Sequence, residues 1–367
     1  LSTVESAVLI ADLDWPGVRE YYPRQSLDTA TRSRVMQYKP LGRTGVLVSQ
    51  LCFGTMTFGK EADEAESARL FAACRDAGVN FFDCANVYSD GLAETILGKL
   101  IKGCRDELVI TTKVAQKAAP DVNGVGASRR HIMQQVEKSL KRLCTDRVEI
   151  YFIHHFDPLT PIEESLRALD DLVRQGKVLY PGASNWAAWQ VAKALGISAA
   201  GGLARFECLE PMYNLVKRQA EVEILPLALS EGLGVIPYSP LAAGLLTGKY
   251  AAGGTSAAGR IAVNSMYNTR YSDPVYYQVA ERFTAFAREH GLNPASLAVR
   301  WVASHPGVTA PIIGARNLEQ LAPSLASVDL ELAPETLEAV TRLSVQPATA
   351  TDRLEEVIDP KYRSRNR

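Results

Sequence analysis

The sequence carries almost no net charge, since 40 lysines and arginines are balanced by 41 aspartates and glutamates. Without a concentrated basic field, a nucleic-acid or membrane-surface partner is not expected. No apolar run approaches the roughly 20 residues of a membrane span. The chain does not open with a basic start followed by an apolar stretch, so the expected compartment is the cytoplasm. Cysteine is scattered: Cys52, Cys74, Cys84, Cys104, Cys144 and Cys208 form no C-x-x-C pair and no dense cluster. Neither a disulfide scaffold nor a zinc site is expected from them, and they read as reduced core or wall residues. His154 and His155 are adjacent, and on a strand they would point to opposite sides, a poor metal pair, so no metal is expected. Also absent is G-x-G-x-x-G, the turn by which a Rossmann domain brings its backbone against a pyrophosphate. What remains is an apolar-rich chain long enough for one large core and suited to a small ligand.

Residues 1–35 are polar, with Pro16 and Pro23 and no sustained apolar period; they read as an extension, a mobile or weakly packed arm. From residue 36 to 367 short apolar runs alternate with amphipathic stretches, the pattern of βαβ units and a parallel sheet. The candidate strands are Leu51–Gly54, Asn80–Asp83, Leu108–Lys113, Glu149–His154, Val178–Ser184, Phe206–Leu209, Gly234–Tyr238 and Ala310–Ile313. Eight is the number that closes a barrel, so the predicted fold is α/β, a (β/α)8 TIM barrel. Thr160-Pro161-Ile162-Glu163 reads as an N-cap, a proline at the first helical position and a capping-box acid. Asn293-Pro294 opens another helix, and His131–Leu143 places Ile132, Val136, Leu140 and Leu143 on one face. Leu245 to Pro274 has no clear period and reads as a long loop after the seventh strand, on the side of a barrel where active sites lie.

Charged and polar residues end three consecutive apolar strands: Asp83, Lys113 and His154. A barrel gathers such ends at one rim. A lysine there needs an anion, and Asp83 on the neighbouring strand is placed to supply it, either as a structural ion pair or as part of a site. Tyr88, five residues past Asp83, favours the second. An ordinary phenol titrates near about 10, and a nearby ammonium is expected to lower that value. Tyr88 would then give a proton to an oxygen that His154 holds by a hydrogen bond. Tyr213 and Lys217 match the Y-x-x-x-K spacing of short-chain dehydrogenases, but no glycine-rich turn accompanies them.

These residues resemble the aldo-keto reductase family from about Tyr38 to about Leu325. Leu41-Gly42-Arg43-Thr44-Gly45 with Val48-Ser49 looks like the family's opening hairpin, and Gly54-Thr55-Met56-Thr57-Phe58-Gly59 like its first strand end. The resemblance implies a barrel with an N-terminal β-hairpin, preceded here by a non-family extension. It further implies reduction of aldehydes or ketones by hydride from NADPH, with Asp83, Tyr88, Lys113 and His154 as the catalytic tetrad. Gly182-Ala183-Ser184-Asn185-Trp186 is similar to the segment whose Ser184 and Asn185 would hold the nicotinamide carboxamide. In Tyr238-Ser239-Pro240-Leu241, Tyr238 would stack on the nicotinamide while the backbone of Ser239 and Leu241 meets the pyrophosphate. Gly314, Arg316 and Gln320 resemble the adenosine-phosphate segment, where Arg316 would select NADP(H).

Glu210 stands where the family usually has a glutamine that bonds the nicotinamide amide. If ionised, it would favour the cationic oxidised nicotinamide over the reduced form. Pro181 and His155 are further departures. Phe58, Tyr88, Trp186 and the loop around Met266, Tyr267 and Tyr271 are the expected apolar walls for a small carbonyl substrate. The resemblance leaves a homo-oligomer open, and with it a second class, an NADP(H)-binding regulatory subunit with little turnover, because some family members mainly modulate a membrane channel.

Overall fold

The computed structural model describes residues 36–250, 259–353 and 355. The extension expected over residues 1–35 and nearly all of the Ala/Gly-rich patch at 251–259 lie outside the described residues. Strands β1 (Tyr38–Pro40) and β2 (Leu47–Ser49) pair antiparallel as a hairpin. The next eight form one parallel sheet: β3 (Cys52–Gly54), β4 (Phe81–Asp83), β5 (Val109–Val114), β6 (Val148–Ile153), β7 (Val178–Ser184), β8 (Cys208–Glu210), β9 (Gly234–Val235) and β10 (Ile312–Ile313). From β3 to β9 each strand pairs with the next in sequence, and β10 returns to pair with β3. The seam is closed by backbone hydrogen bonds, Thr309 N to Val235 O (2.9 Å) and Ile312 N to Pro237 O (2.9 Å). This is the (β/α)8 barrel read from the sequence, and its strands begin or end within a few residues of the expected ones.

Period-two alternation sorts the strand residues into two apolar layers. Ile150 and Phe152 point inward with Phe81, Val109, Cys208 and Ile236, and the hairpin's Leu41 and Val48 close the lower end of this plug. Tyr151 and Ile153 point outward with Phe82 and Ile110, against helical residues such as Leu166 and Leu169. The plug is tight at Gly182, which faces Phe152 across the β6–β7 register. A Cβ there would lie 2.5 Å from the Phe152 ring, so only glycine fits between the two strands.

Most helix starts follow the sequence signals. Ser128 caps Arg129–Leu143, and Asn293 and Asp273 cap helices whose first residue is proline. The start at 160–163 differs: the helix is Ile162–Arg174, Pro161 itself is the cap residue, and Thr160 turns back to donate to Asp157 at 2.6 Å. The segment 245–274 is not a plain loop either. It contains the short helices Arg260–Val263 and Ser265–Arg270, the second capped by Asn264. Such one-turn elements are too short to show a period. Among the described residues, no helix is long and apolar enough to cross a membrane.

Candidate active site

The inward positions continue above the apolar plug as a polar layer. In β4 the alternation that turns Phe81 inward also turns Asp83 inward, and in β5 it does the same for Val109, Thr111 and Lys113. In β8 it pairs Cys208 with Glu210. Lys113 is therefore fully buried inside the barrel. Its Nζ donates to both carboxylate oxygens of Asp83 (2.5 and 2.6 Å), to the Cys84 carbonyl (2.8 Å) and to the Tyr88 hydroxyl (3.3 Å). Thr111 donates to Asp83 Oδ1 at 2.5 Å. The His154 ring stands edge-on to Tyr88 at 6.2 Å between centroids, so the four predicted residues share one mouth.

The electrostatics reverse the sequence expectation at Tyr88 and bear on the open question at Glu210. Lys113 does pull the Tyr88 phenol down, but burial is the larger effect and the net displacement is upward. The residue as a whole is half-buried, but its hydroxyl sits against the fully buried Lys113, and there burial dominates. Tyr88 is thus a protonated phenol at neutral pH. Glu210, whose effect on the cofactor depends on whether it is ionised, is shifted toward its neutral form: burial and then Asp83 push its carboxyl well above the usual range, against Lys113. Its Oε2 lies 3.4 Å from Lys113 Nζ and has no hydrogen-bond partner. Burial alone would discharge Lys113, yet the Asp83 carboxylate, by its charge and its hydrogen bonds, raises the amine well above its usual range and keeps it an ammonium. Burial, Lys113 and His155 hold His154 well below the usual imidazole range, so it is neutral.

His154 and His155 do not diverge as strand alternation would have them. β6 ends at Ile153, and beyond it the two rings stack at 5.1 Å and 9°. Gln116 Nε2 reaches both, 2.8 Å from His155 Nε2 and 3.4 Å from His154 Nε2. Gln116 was not legible in the sequence because it lies past the end of β5. Thr111 was, being two residues before Lys113 and so on the same face.

Around this mouth the backbone is repeatedly left-handed at residues other than glycine: Ser89 and Asp90 after β4, Ala115 after β5, Asn185 after β7, and Ser239, Ala242 and Ala243 after β9. Such conformations persist where surrounding contacts over-determine them. Asn185 shows those contacts. Its Nδ2 donates to the His154 carbonyl (2.9 Å) and to Ser184 Oγ (3.0 Å), and its Oδ1 accepts from the Tyr238 hydroxyl (2.6 Å). A cleft of about 380 Å³ opens beside them, lined by Asn185, Trp186, Met212, Lys217 and Tyr238 among others. Leu241 precedes the tight turn Ala242–Thr247. Arg316, Gly314 and Gln320 gather at the start of the helix Leu318–Leu325, where Gln320 Oε1 accepts from Arg316 N at 3.3 Å. Among the described residues no carboxylate pairs with the Arg316 guanidinium.

Of the expected walls, Trp186 packs edge-on against Phe156 and Phe206 and borders the cleft. Phe58 does not line it. The ring is fully buried against Phe53, drawn in with the apolar layer outside β3, and has no open surface. Tyr271 is also core, hydrogen-bonded to Asn214. Tyr213 and Lys217 are occupied separately: the phenol donates to Glu221 at 2.7 Å, and the ammonium donates to Tyr276 at 2.8 Å.

The sequence profile of the aldo/keto reductase family matches residues 50–345. A rice protein named "Probable voltage-gated potassium channel subunit beta" is 39% identical over 315 residues, covering 83% of this chain and 95% of the relative. "Uncharacterized oxidoreductase YrpG" of Bacillus subtilis is 38% identical over 329 residues, covering 86% and 98%. "Versiconal hemiacetal acetate reductase" of Aspergillus parasiticus is 32% identical over 329 residues, covering 83% and 95%. With the profile spanning most of the chain and such relatives matched almost end to end, the protein belongs to the aldo/keto reductase family of oxidoreductases.

Proposed function

We propose that this protein is an NADP(H)-dependent reductase of aldehydes or ketones, with Tyr88 as the general acid. The supporting observation is the placement of Lys113 Nζ, 3.3 Å from the Tyr88 hydroxyl and 2.5 Å from Asp83, at the open end of the barrel. Asp83 holds the ammonium, and the ammonium holds the phenol. A buried, protonated Tyr88 is able to give its proton to a carbonyl oxygen as negative charge develops there, because an alkoxide is a far stronger base than a phenolate. Lys113 then stabilises the phenolate left behind. Neutral His154 donates one N–H to the same oxygen and fixes its position.

The residues present fit the nicotinamide cofactor. Glu210 Oε2 and His154 Nδ1 are buried without partners, as polar atoms of a binding mouth are when a ligand is meant to satisfy them. Ser184, Asn185 and Glu210 would hold the carboxamide, with Glu210 as a neutral acid donating where glutamine would use its amide. Tyr238 would offer its ring, Ser239 and Leu241 their backbone, and Gly314, Arg316 and Gln320 the adenosine-phosphate end. When bound, the reduced cofactor supplies hydride to the carbonyl carbon.

The test is consumption of NADPH and NADH across a carbonyl panel that includes 4-nitrobenzaldehyde, an aliphatic aldehyde and a ketone. Turnover of at least one carbonyl, faster with NADPH, is expected. Tight NADPH binding without turnover of any carbonyl would instead support a second reading, a cofactor-holding regulatory subunit. The names of the rice relative and of its Arabidopsis counterpart, 37% identical, favour that alternative.

A further inference from the structure

Resting on the reductase reading, one cation at the mouth has no role in the chemistry above. Arg270 ends the helix Ser265–Arg270 and is half-buried. Its guanidinium lies 5.8 Å from the centre of the Tyr238 ring and 5.2 Å from that of Tyr267. Its polar contact is Met266 Sδ at 3.6 Å, and among the described residues no carboxylate pairs with it. The charge is felt at two titratable groups. It helps to hold down the His155 imidazole, after burial, and opposes the effect of burial on Tyr238. Geometrically, the guanidinium stands by the Tyr238 ring, which follows the seventh barrel strand and borders the cleft with Asn185 and Trp186. A guanidinium within cation–π reach of two phenol rings, with no carboxylate partner among the described residues, is a preformed receptor for a carboxylate or phosphate. At the mouth, Gln116 and His155 add neutral polar groups.

We propose that Arg270 is a specificity residue that binds an anionic group on the substrate, so that the preferred substrates are carbonyl compounds bearing a carboxylate. The carbonyl end reaches Tyr88 and His154, while the carboxylate remains at the rim against Arg270. The cofactor's phosphates share this anion chemistry, and the experiment separates the two sources.

Turnover of 4-carboxybenzaldehyde and of its neutral methyl ester is compared in the wild type and in Arg270→Met, which retains a long apolar stem over the rings. The ratio of kcat/KM for acid over ester is expected to fall about 10- to 100-fold, the range for a charge-assisted bidentate contact. Arg270→Lys, which keeps the charge without the fork, is expected to fall between the two. An unchanged ratio in both variants overturns the proposal. So does a loss found instead as a matching rise in the NADPH dissociation constant, because the guanidinium would then serve the cofactor. Calorimetric binding of 4-(hydroxymethyl)benzoate to the NADPH-loaded protein needs no turnover. Arg270-dependent binding without reduction of any aldehyde would sustain the anion site and refute the reductase reading alone.

Discussion

Replacing Glu210 with glutamine probes the charge state of the barrel's polar layer. At 3.4 Å from Lys113 Nζ, an ionised Glu210 would gain about 5 kcal/mol of attraction at an effective dielectric near 20. Against this stand the cost of burying a second carboxylate, several kcal/mol, and repulsion from Asp83, which already takes two hydrogen bonds from the same ammonium. One lysine neutralises one carboxylate, and the side chain that is less well bonded keeps its proton. Glu210→Gln then exchanges one neutral, nearly isosteric group for another. Unfolded Glu210 ionises above about pH 4.3 while the folded side chain keeps its proton, a cost to the wild type of about 1.4 kcal/mol per pH unit that glutamine does not carry, so urea denaturation at pH 7 is expected to find Glu210→Gln more stable than the wild type, and the ratio of NADP+ to NADPH dissociation constants is expected to stay within about twofold. The sign of any pH effect also follows. Because the folded carboxyl is raised above its unfolded value, the wild type should lose stability relative to Glu210→Gln as the pH rises above about 4.3, until the folded carboxyl itself ionises. Destabilisation of about 3–5 kcal/mol at pH 7, the penalty for removing one partner of a buried ion pair, would refute the neutral assignment.

Three further outcomes follow from the geometry. Glu94 is fully buried between helix and sheet, held by Arg142 at 2.6 Å and Thr112 at 2.5 Å, so Arg142→Met should cost about 3 kcal/mol in urea denaturation; a cost below about 1 kcal/mol would show that the pair contributes little. Because His154 is held well below the usual imidazole range, kcat/KM should show no histidine inflection between about pH 6 and 8. A limb there that vanishes in His154→Gln would contradict its neutrality. If Arg316 binds a 2′-phosphate, Arg316→Gln should raise the KM for NADPH about tenfold or more without a matching change for NADH, and equal changes would remove that role.

The barrel was legible because its strands are apolar runs flanked by turns and its helices carry strong caps. Asp83 and Lys113 stood out because charge at the end of an apolar strand demands a partner, and alternation then brought them together inside the barrel. Burial balances were not legible. The downward pull on Tyr88 was read correctly from Lys113, but the larger upward effect arises from enclosure that only the packed mouth creates. His155 was misplaced because alternation ceases where β6 ends. Phe58 was read as a wall because aromatic character alone does not distinguish a pocket lining from core. Arg270 was hidden for another reason: it reaches the mouth from a segment without a period, folded into one short helix.

Tyr88 as the proton donor is the central claim. Single-turnover oxidation of bound NADPH by 4-nitrobenzaldehyde, compared in the wild type and in Tyr88→Phe, addresses it most directly. A fall of about 10²- to 10⁴-fold in the hydride-transfer rate is expected, with NADPH affinity preserved. A Tyr88→Phe protein that oxidises NADPH at the wild-type rate would contradict it.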